Sequence, residues 1–128
     1  MVSQITQGVK ISVKTNFEGT YFKNFIGNFS FSYTITIENH SKDTVQLLMR
    51  HWEIYDSLNG VTIVDGEGVV GQKPVLKPGE MHTYNSGCLI TSPHGSMKGF
   101  FKMINFTSTR VFKVSIPSFN LNVPFALN

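Results

Sequence analysis

The residues Gly66-Glu67-Gly68-Val69-Val70-Gly71 spell G-x-G-x-x-G. In dinucleotide-binding loops, glycines at this spacing let backbone amides close on a pyrophosphate. Such a loop follows a strand and opens a helix, whose N-terminus faces the phosphates. Here Gln72-Lys73-Pro74 and then Lys77-Pro78-Gly79 follow, and prolines so placed exclude the helix. Two chemistries remain for the segment. Its amides could form an anion-binding nest without a helix, with Arg50 or Lys73 as countercharge. Alternatively, its glycines serve a β connection that needs positive φ or a close backbone approach.

Other reactive types are scattered. The four histidines, His40, His51, His82 and His94, never occur as H-x-H, H-x-x-x-H or H-E-x-x-H, so no metal pair is written locally. The acids Glu18, Glu38, Asp43, Glu53, Asp56, Asp65, Glu67 and Glu80 lie apart, mostly near turns. No G-x-S-x-G elbow is present. The one cysteine, Cys88, rules out an internal disulfide and a Cys-based zinc site. Its setting, Ser86-Gly87-Cys88-Leu89-Ile90, reads as the start of a buried strand, where a thiol behaves as a small hydrophobe. The expectation is therefore no catalytic residue, no metal and no cofactor.

The elements that must position these residues are strands. Phe29 to Glu38 places an apolar or aromatic residue at every odd position and a small-polar or charged one at every even position. That is one face on a core and one on water. Val9, Ile11 and Val13 alternate with Lys10, Ser12 and Lys14; Phe112, Val114 and Ile116 alternate with Lys113 and Ser115. Phe119, Leu121, Val123 and Phe125 continue the pattern after Pro117, and Pro117 with Pro124 restricts that segment to an edge or broken strand. Val45 to Tyr55 is denser. A central strand covered on both faces, or one with a bulge, reads this way, and Leu48, Trp52 and Ile54 are assigned to its core face. A mid-strand tryptophan is expected at the centre of a sandwich core. Asn59-Gly60 signals a type I′ hairpin turn, Pro78-Gly79 a type II turn, and Pro93-His94-Gly95 a further turn. Seven or eight strands and no helix predict an all-β, antiparallel sandwich.

Length and composition agree. A chain of 128 residues, 41% hydrophobic and 15% charged, with 11 phenylalanines, is one domain with its own core, spanning 1–128. The net charge of +3 comes from lysines spread singly, so no nucleic-acid footprint is written. No apolar leader follows Met1, and no stretch approaches the ~18 apolar residues of a span. The reading is a cytoplasmic protein with no membrane contact.

In order along the chain stand Gln46-Leu47-Leu48-Met49-Arg50-His51-Trp52, Val64 to Pro74, Leu76 to Glu80, Tyr84-Asn85-Ser86-Gly87, Gly95 to Gly99 and Val114 to Leu121. The ordered set resembles the ApaG family over essentially the whole length. The resemblance implies an immunoglobulin- or fibronectin type III-like β-sandwich. It also implies a small bacterial protein whose relatives in larger eukaryotic proteins look like protein-interaction modules. It carries a loose link to cobalt and magnesium efflux and to diadenosine polyphosphate metabolism.

Two functions follow as expectations. In the first, the domain binds a protein partner through strand edges, the Gly66–Gly71 connection and a loop formed by His94, Gly95, Met97, Lys98 and Gly99. In the second, it binds a nucleotide or pyrophosphate through Gly66, Gly68 and Gly71, with Arg50 or Lys73 as countercharge. Pairing of edge strands between copies would give a homo-oligomer.

Overall fold

The computed structural model describes residues 1–127. Among these residues are nine strands: β1 (Val2–Thr6), β2 (Val9–Lys23), β3 (Ile26–Asn39), β4 (Val45–Asp56), β5 (Gly60–Glu67), β6 (Val75–Leu76), β7 (Met81–Ile90), β8 (His94–Asn105) and β9 (Val111–Asn122). A 3-10 turn, Pro124–Leu127, follows. One sheet has the order β1-β2-β3-β7 and the other β5-β4-β8-β9, with β6 pairing to β4 beside β5. All pairings are antiparallel. The expected antiparallel sandwich is present, with nine strands among the described residues where seven or eight were expected.

The alternation explains the layers. Phe31, Tyr33, Ile35 and Ile37 of β3 are buried, as are Val9, Ile11 and Val13 of β2. Ser30, Ser32, Thr34 and Thr36 face outward, and Thr34 Oγ1 donates to Asn85 Oδ1 of β7 at 2.6 Å. Trp52 lies 3% exposed against this layer. Tyr33, Trp52 and Phe119 meet with ring centroids 5.5–5.9 Å apart, a geometry aromatic pairs favour.

The dense segment of β4 does contain a bulge. Its register against β8 shifts between Leu47 and Met49. The shift moves the inward parity, so Leu47 is fully buried while Leu48, assigned to the core from the sequence, is only half-buried at the bulge. Ile54 packs on the core from its margin. The Asn59-Gly60 turn also differs from expectation. Ser57–Asn59 connect the strands, Asn59 N donates to Asp56 O at 3.0 Å, and among the turn residues only Gly60 takes a left-handed φ (+76°). This is a three-residue turn closed by a glycine bulge rather than a type I′ turn. At Pro78-Gly79 the type II turn is present, with Glu80 N donating to Lys77 O at 2.9 Å and Gly79 at φ +84°. Phe125 lies beyond the last strand, where its ring covers Phe17 and Phe29 at 6.2 and 6.3 Å.

Two polar groups tie the sheets at opposite ends. The buried Asn39 amide donates to Asp43 O (2.8 Å) and Leu76 O (2.9 Å), and its carbonyl accepts from Ser41 N and Ser41 Oγ. Asp56 accepts from Thr91 N and Oγ1 (2.7 Å each) and from Leu58 N (3.1 Å). Burial alone would raise the Asp56 pKa, but these bonds hold the carboxyl below the usual carboxylate range.

Replacing Trp52 with Ala should lower stability by about 3–5 kcal/mol, read from urea unfolding; a midpoint near wild type would place the indole outside the core. Asp56→Asn tests the second tie. A depressed carboxyl stabilises the native state above its unfolded pKa of about 3.9, and that stabilisation fades as pH falls through the native value. The variant should therefore be the less stable protein at pH 7. The gap should close on acidification below about pH 4, measured as unfolding midpoints across pH.

Candidate functional site

The G-x-G-x-x-G segment leaves β5 at Gly66 and closes a tight turn before β6. Val69 N donates to Gln72 O (2.8 Å) and Gln72 N to Val69 O (3.0 Å), while Val70 and Gly71 take φ of +47° and +74°. This is a type I′ turn. Gly68 N donates to Leu48 O at the β4 bulge (2.9 Å), so the amides of Gly68, Val69 and Gln72 are already engaged. The glycines answer to close approaches. A Cβ on Gly68 would lie 2.3 Å from Gln72 O, and one on Gly66 would lie 2.6 Å from the Arg50 guanidinium. Arg50 Nη1 donates to the carbonyls of Glu67 (2.9 Å) and Gly68 (3.0 Å). Lys73 Nζ lies 3.4 Å from Glu67 Oε1. The structure thus gathers Gly66, Gly68, Gly71, Arg50 and Lys73 into one corner, with both cations turned toward protein oxygens.

The residues read as an interaction loop lie instead within β8. Met97 is buried, and its Sδ accepts from the Cys88 thiol at 3.6 Å. Gly95 and Gly99 meet the backbone of β4, where a Cβ would come 2.4 Å from Tyr55 O and 1.9 Å from His51 O. Their glycine character comes from strand packing, not from a turn. Of this group His94 and Lys98 are exposed to solvent. Cys88 sits within β7, not at its start, and burial pushes its thiol up to about 11, which leaves little nucleophilic thiolate.

On the outer face of the β5-β4-β8-β9 sheet, neighbouring strands set Asp65, His51 and Phe100 in a row. His51 Nδ1 is 2.6 Å from Asp65 Oδ1 and its ring stacks on Phe100 at 4.6 Å. Lys113 Nζ lies 4.4 Å from the Phe100 centroid. A shallow cavity of about 420 Å³ opens here, lined also by Met49, Arg50 and Lys102. The imidazole is paired with carboxylates, Asp65 and, at 3.6 Å, Glu53. It thus sits between two carboxylates on the outer face of the sheet. Among the described residues no three His, Cys, Asp or Glu side chains gather to hold a metal ion, and no helix is long and apolar enough to cross a membrane.

A cluster of exposed apolar groups lies elsewhere, at the tip of the β2–β3 hairpin. A bulge between Phe17 and Gly19 reverses the inward parity of β2. Beyond it Tyr21, Phe22, Phe25 and Ile26 stand in solvent, with Phe22 81% and Phe25 102% exposed. Asn24 and Phe25 both take left-handed φ, +51° and +64°. Beside the tip, Tyr21, Phe31, Cys88 and Leu89 line a cavity of about 410 Å³. Sequence reasoning passed over these residues, because an aromatic cluster in a phenylalanine-rich chain reads as core. The available signal was Tyr21-Phe22-Lys23-Asn24-Phe25-Ile26, in which Asn24 marks a turn with apolar residues on both sides.

A family model described as the ApaG domain matches residues 20–105. Protein ApaG of Beijerinckia indica is 42% identical over 126 residues, covering 98% of this chain and 96% of that protein. The chain belongs to the ApaG family. Protein ApaG of Anaeromyxobacter dehalogenans aligns at 38% identity over 128 residues, 100% of each chain. A crystal structure assigned to the ApaA protein of Bordetella pertussis shares the fold, with a TM-score of 0.83, 34% identity, and coverage of 91% of this chain and 94% of that one. The ApaG match takes in the hairpin tip, the β4 bulge, the glycine turn and all of β8, so each of these lies on the part of the chain that the family model describes.

The glycine turn makes a paired prediction. Gly68→Ala should cost about 2–3 kcal/mol, because left-handed strain adds to overlap with Gln72 O. Gly71→Ala meets open space and should cost only the strain, about 1–2 kcal/mol. Equal unfolding midpoints for the two would remove the close-approach explanation.

Proposed function

We propose that this chain is a non-catalytic binding module whose partner is a protein, and that the β2–β3 hairpin tip is the surface that docks. The observation that supports this reading is Phe25. Its ring is fully exposed and its backbone is left-handed. For a residue with a bulky side chain, that conformation costs about 1–2 kcal/mol. In the free protein neither the strain nor the exposure is offset by packing. A residue that breaks two local rules at once points to a role outside folding. Phe22, Tyr21 and Ile26 around it supply an apolar anchor of the kind that enters a groove on a partner, and aromatic anchors dominate such interfaces.

The nucleotide or pyrophosphate reading gains no support from the corner built by Gly66, Gly68 and Gly71. Three of its amides already bond to backbone carbonyls, and Lys73 is paired with Glu67. Such a cradle has few backbone donors left for a phosphate.

The test is affinity capture from an extract of the source cells, comparing the wild-type chain with Phe25→Gly and Phe22→Ser. Phe25→Gly should leave stability unchanged or raise it by up to about 1 kcal/mol, as relieved strain outweighs the freedom glycine adds to the unfolded chain. Both variants should lose the same captured protein. Capture at wild-type levels by both variants would sink the tip as the docking surface.

A further inference from the structure

The sandwich has four sheet edges, and three of them are guarded. β1 is five residues long and sits against β9, where Ser115 N donates to Thr6 Oγ1 at 3.3 Å. β5 carries Asp65 and Glu67, and β9 contains Lys113, Pro117 and a register shift against β8. Short length, charge, proline and bulges are the usual means of keeping an edge from accepting another strand. β7 uses none of them. It is ten residues long, Met-His-Thr-Tyr-Asn-Ser-Gly-Cys-Leu-Ile, and it has no acid, lysine, arginine or proline. Its register against β3 runs unbroken from Ile90 to Met81.

The pattern of that register says which groups are free. Asn39 N donates to Glu80 O at 3.0 Å. In an antiparallel ladder bonded pairs alternate, so His82, Tyr84, Ser86, Cys88 and Ile90 turn their amides and carbonyls toward β3. Met81, Thr83, Asn85, Gly87 and Leu89 turn theirs to the open side.

The space beside this edge is shaped. A cleft of about 310 Å³ lies between β7 and the glycine turn, lined by Val69, Val70, Gln72, His82, Tyr84 and Asn85 among others. Val70 is a β-branched residue held at φ +47° with its side chain 65% exposed over that cleft, a second strained apolar residue in solvent. Tyr84 is 8% exposed, and its hydroxyl is the one buried side-chain polar atom among the described residues with no hydrogen-bond partner. A buried donor left unpaired is costly. Arg50 holds the turn from behind through Nη1 alone, and among the described residues no carboxylate pairs with it. Its charge acts on the hydroxyls of both Tyr84 and Tyr33, against the burial that raises them.

We propose that the open edge of β7 accepts an extended segment of a partner protein as an added strand, and that this segment carries a carboxylate side chain facing Arg50 and Tyr84. Main-chain bonds to Met81, Thr83, Asn85, Gly87 and Leu89 supply affinity, and the acid supplies choice of partner. A second copy of this chain fits less well. β7 contains no acid, so β7-to-β7 pairing would bring Arg50 no countercharge and Tyr84 no carboxylate acceptor. The edge reaches the hairpin tip at Leu89, which shares a cavity with Tyr21, but the cleft at Tyr84 lies further along β7 and the proposal stands whether or not the tip docks.

The experiment selects from a random dodecapeptide library displayed on phage, using the purified full chain, and measures the enriched peptides as synthetic ligands. Enriched sequences should alternate and share one Asp or Glu. Changing that acid to its amide, or N-methylating alternate peptide residues, should each weaken binding at least tenfold. Bound peptide should slow hydrogen exchange at the amides of Met81, Thr83, Asn85, Gly87 and Leu89. Phe25→Gly should bind the same peptide unchanged, so failure at the tip and failure here are read separately. Asn85→Pro removes an amide that makes no ladder bond and should abolish binding; the N-methyl peptides carry the same test if that variant does not fold. The proposal is overturned if no peptide is enriched, if protection falls on other amides, or if the acid-to-amide change is neutral. It is also overturned if the free chain sediments as a dimer with those same amides already protected.

Discussion

The two sheets are held in register by Tyr33, Trp52 and Phe119, one ring from β3, one from β4 and one from β9. Close-packed interiors tolerate little change in volume, so this contact fixes how the strands lie over one another and therefore which edges meet. Toward β1 and β9 the layers close on each other, as the bond between Ser115 and Thr6 shows. Toward β7 and β5 they do not. β5 is exposed along nearly all its length, and β7 pairs only with β3. The unpartnered Tyr84 hydroxyl, the Arg50 guanidinium and the glycine turn all collect on that open side.

The bulge at Leu48 is the second determinant, and it depends on the first. Trp52 must point inward, yet the Val45–Leu47 segment must also bury Val45 and Leu47. An unbroken strand with Trp52 inward would turn Val45 and Leu47 to the outer face, because side chains alternate with period two. One extra residue at position 48 reconciles the two halves. It leaves the Leu48 carbonyl free to accept Gly68 N, and that bond anchors the glycine turn. Gly66 must then lack a side chain because Arg50 crosses it, and Gly68 because Gln72 O approaches it. The pattern that reads as a phosphate motif in the sequence is thus accounted for by one bulge, two close approaches and the left-handed turn position of Gly71.

Where a strand's two faces differ in polarity, its chemistry was legible before any coordinates. β3, the first half of β2 and the type II turn at Pro78-Gly79 follow from alternation and from proline beside glycine. The inward parity of β4 was not legible, since bulges are set by what the opposite strand requires. The same blindness misplaced His94–Gly99. Pro93-His94-Gly95 reads as a turn, whereas Gly95 and Gly99 are where β8 crosses the β4 backbone at a distance no Cβ permits. The corner of Gly66, Gly68, Gly71, Arg50 and Lys73 was legible as a cluster of residues, but the direction of each hydrogen bond was not. Arg50 faces carbonyls, and only the fold decides that.

What the sequence concealed most fully is the hairpin tip, and the reason is general. Composition cannot distinguish an aromatic that is buried from one that is presented. Phe31 and Phe25 are the same residue type in one hairpin, and they differ in that Phe31 lies over the opposite sheet while Phe25 projects past it. The bulge at Glu18 sets Phe22 apart in the same way. It reverses the parity of β2, so Thr20 and Phe22 take the inward direction where the opposite layer has ended. Val70 repeats the pairing of left-handed backbone with an exposed apolar side chain on the other side of the fold. Stability given up twice, each time at a solvent-facing apolar residue, is hard to ascribe to folding. Both sites gain a rationale if the surfaces are covered when the protein works.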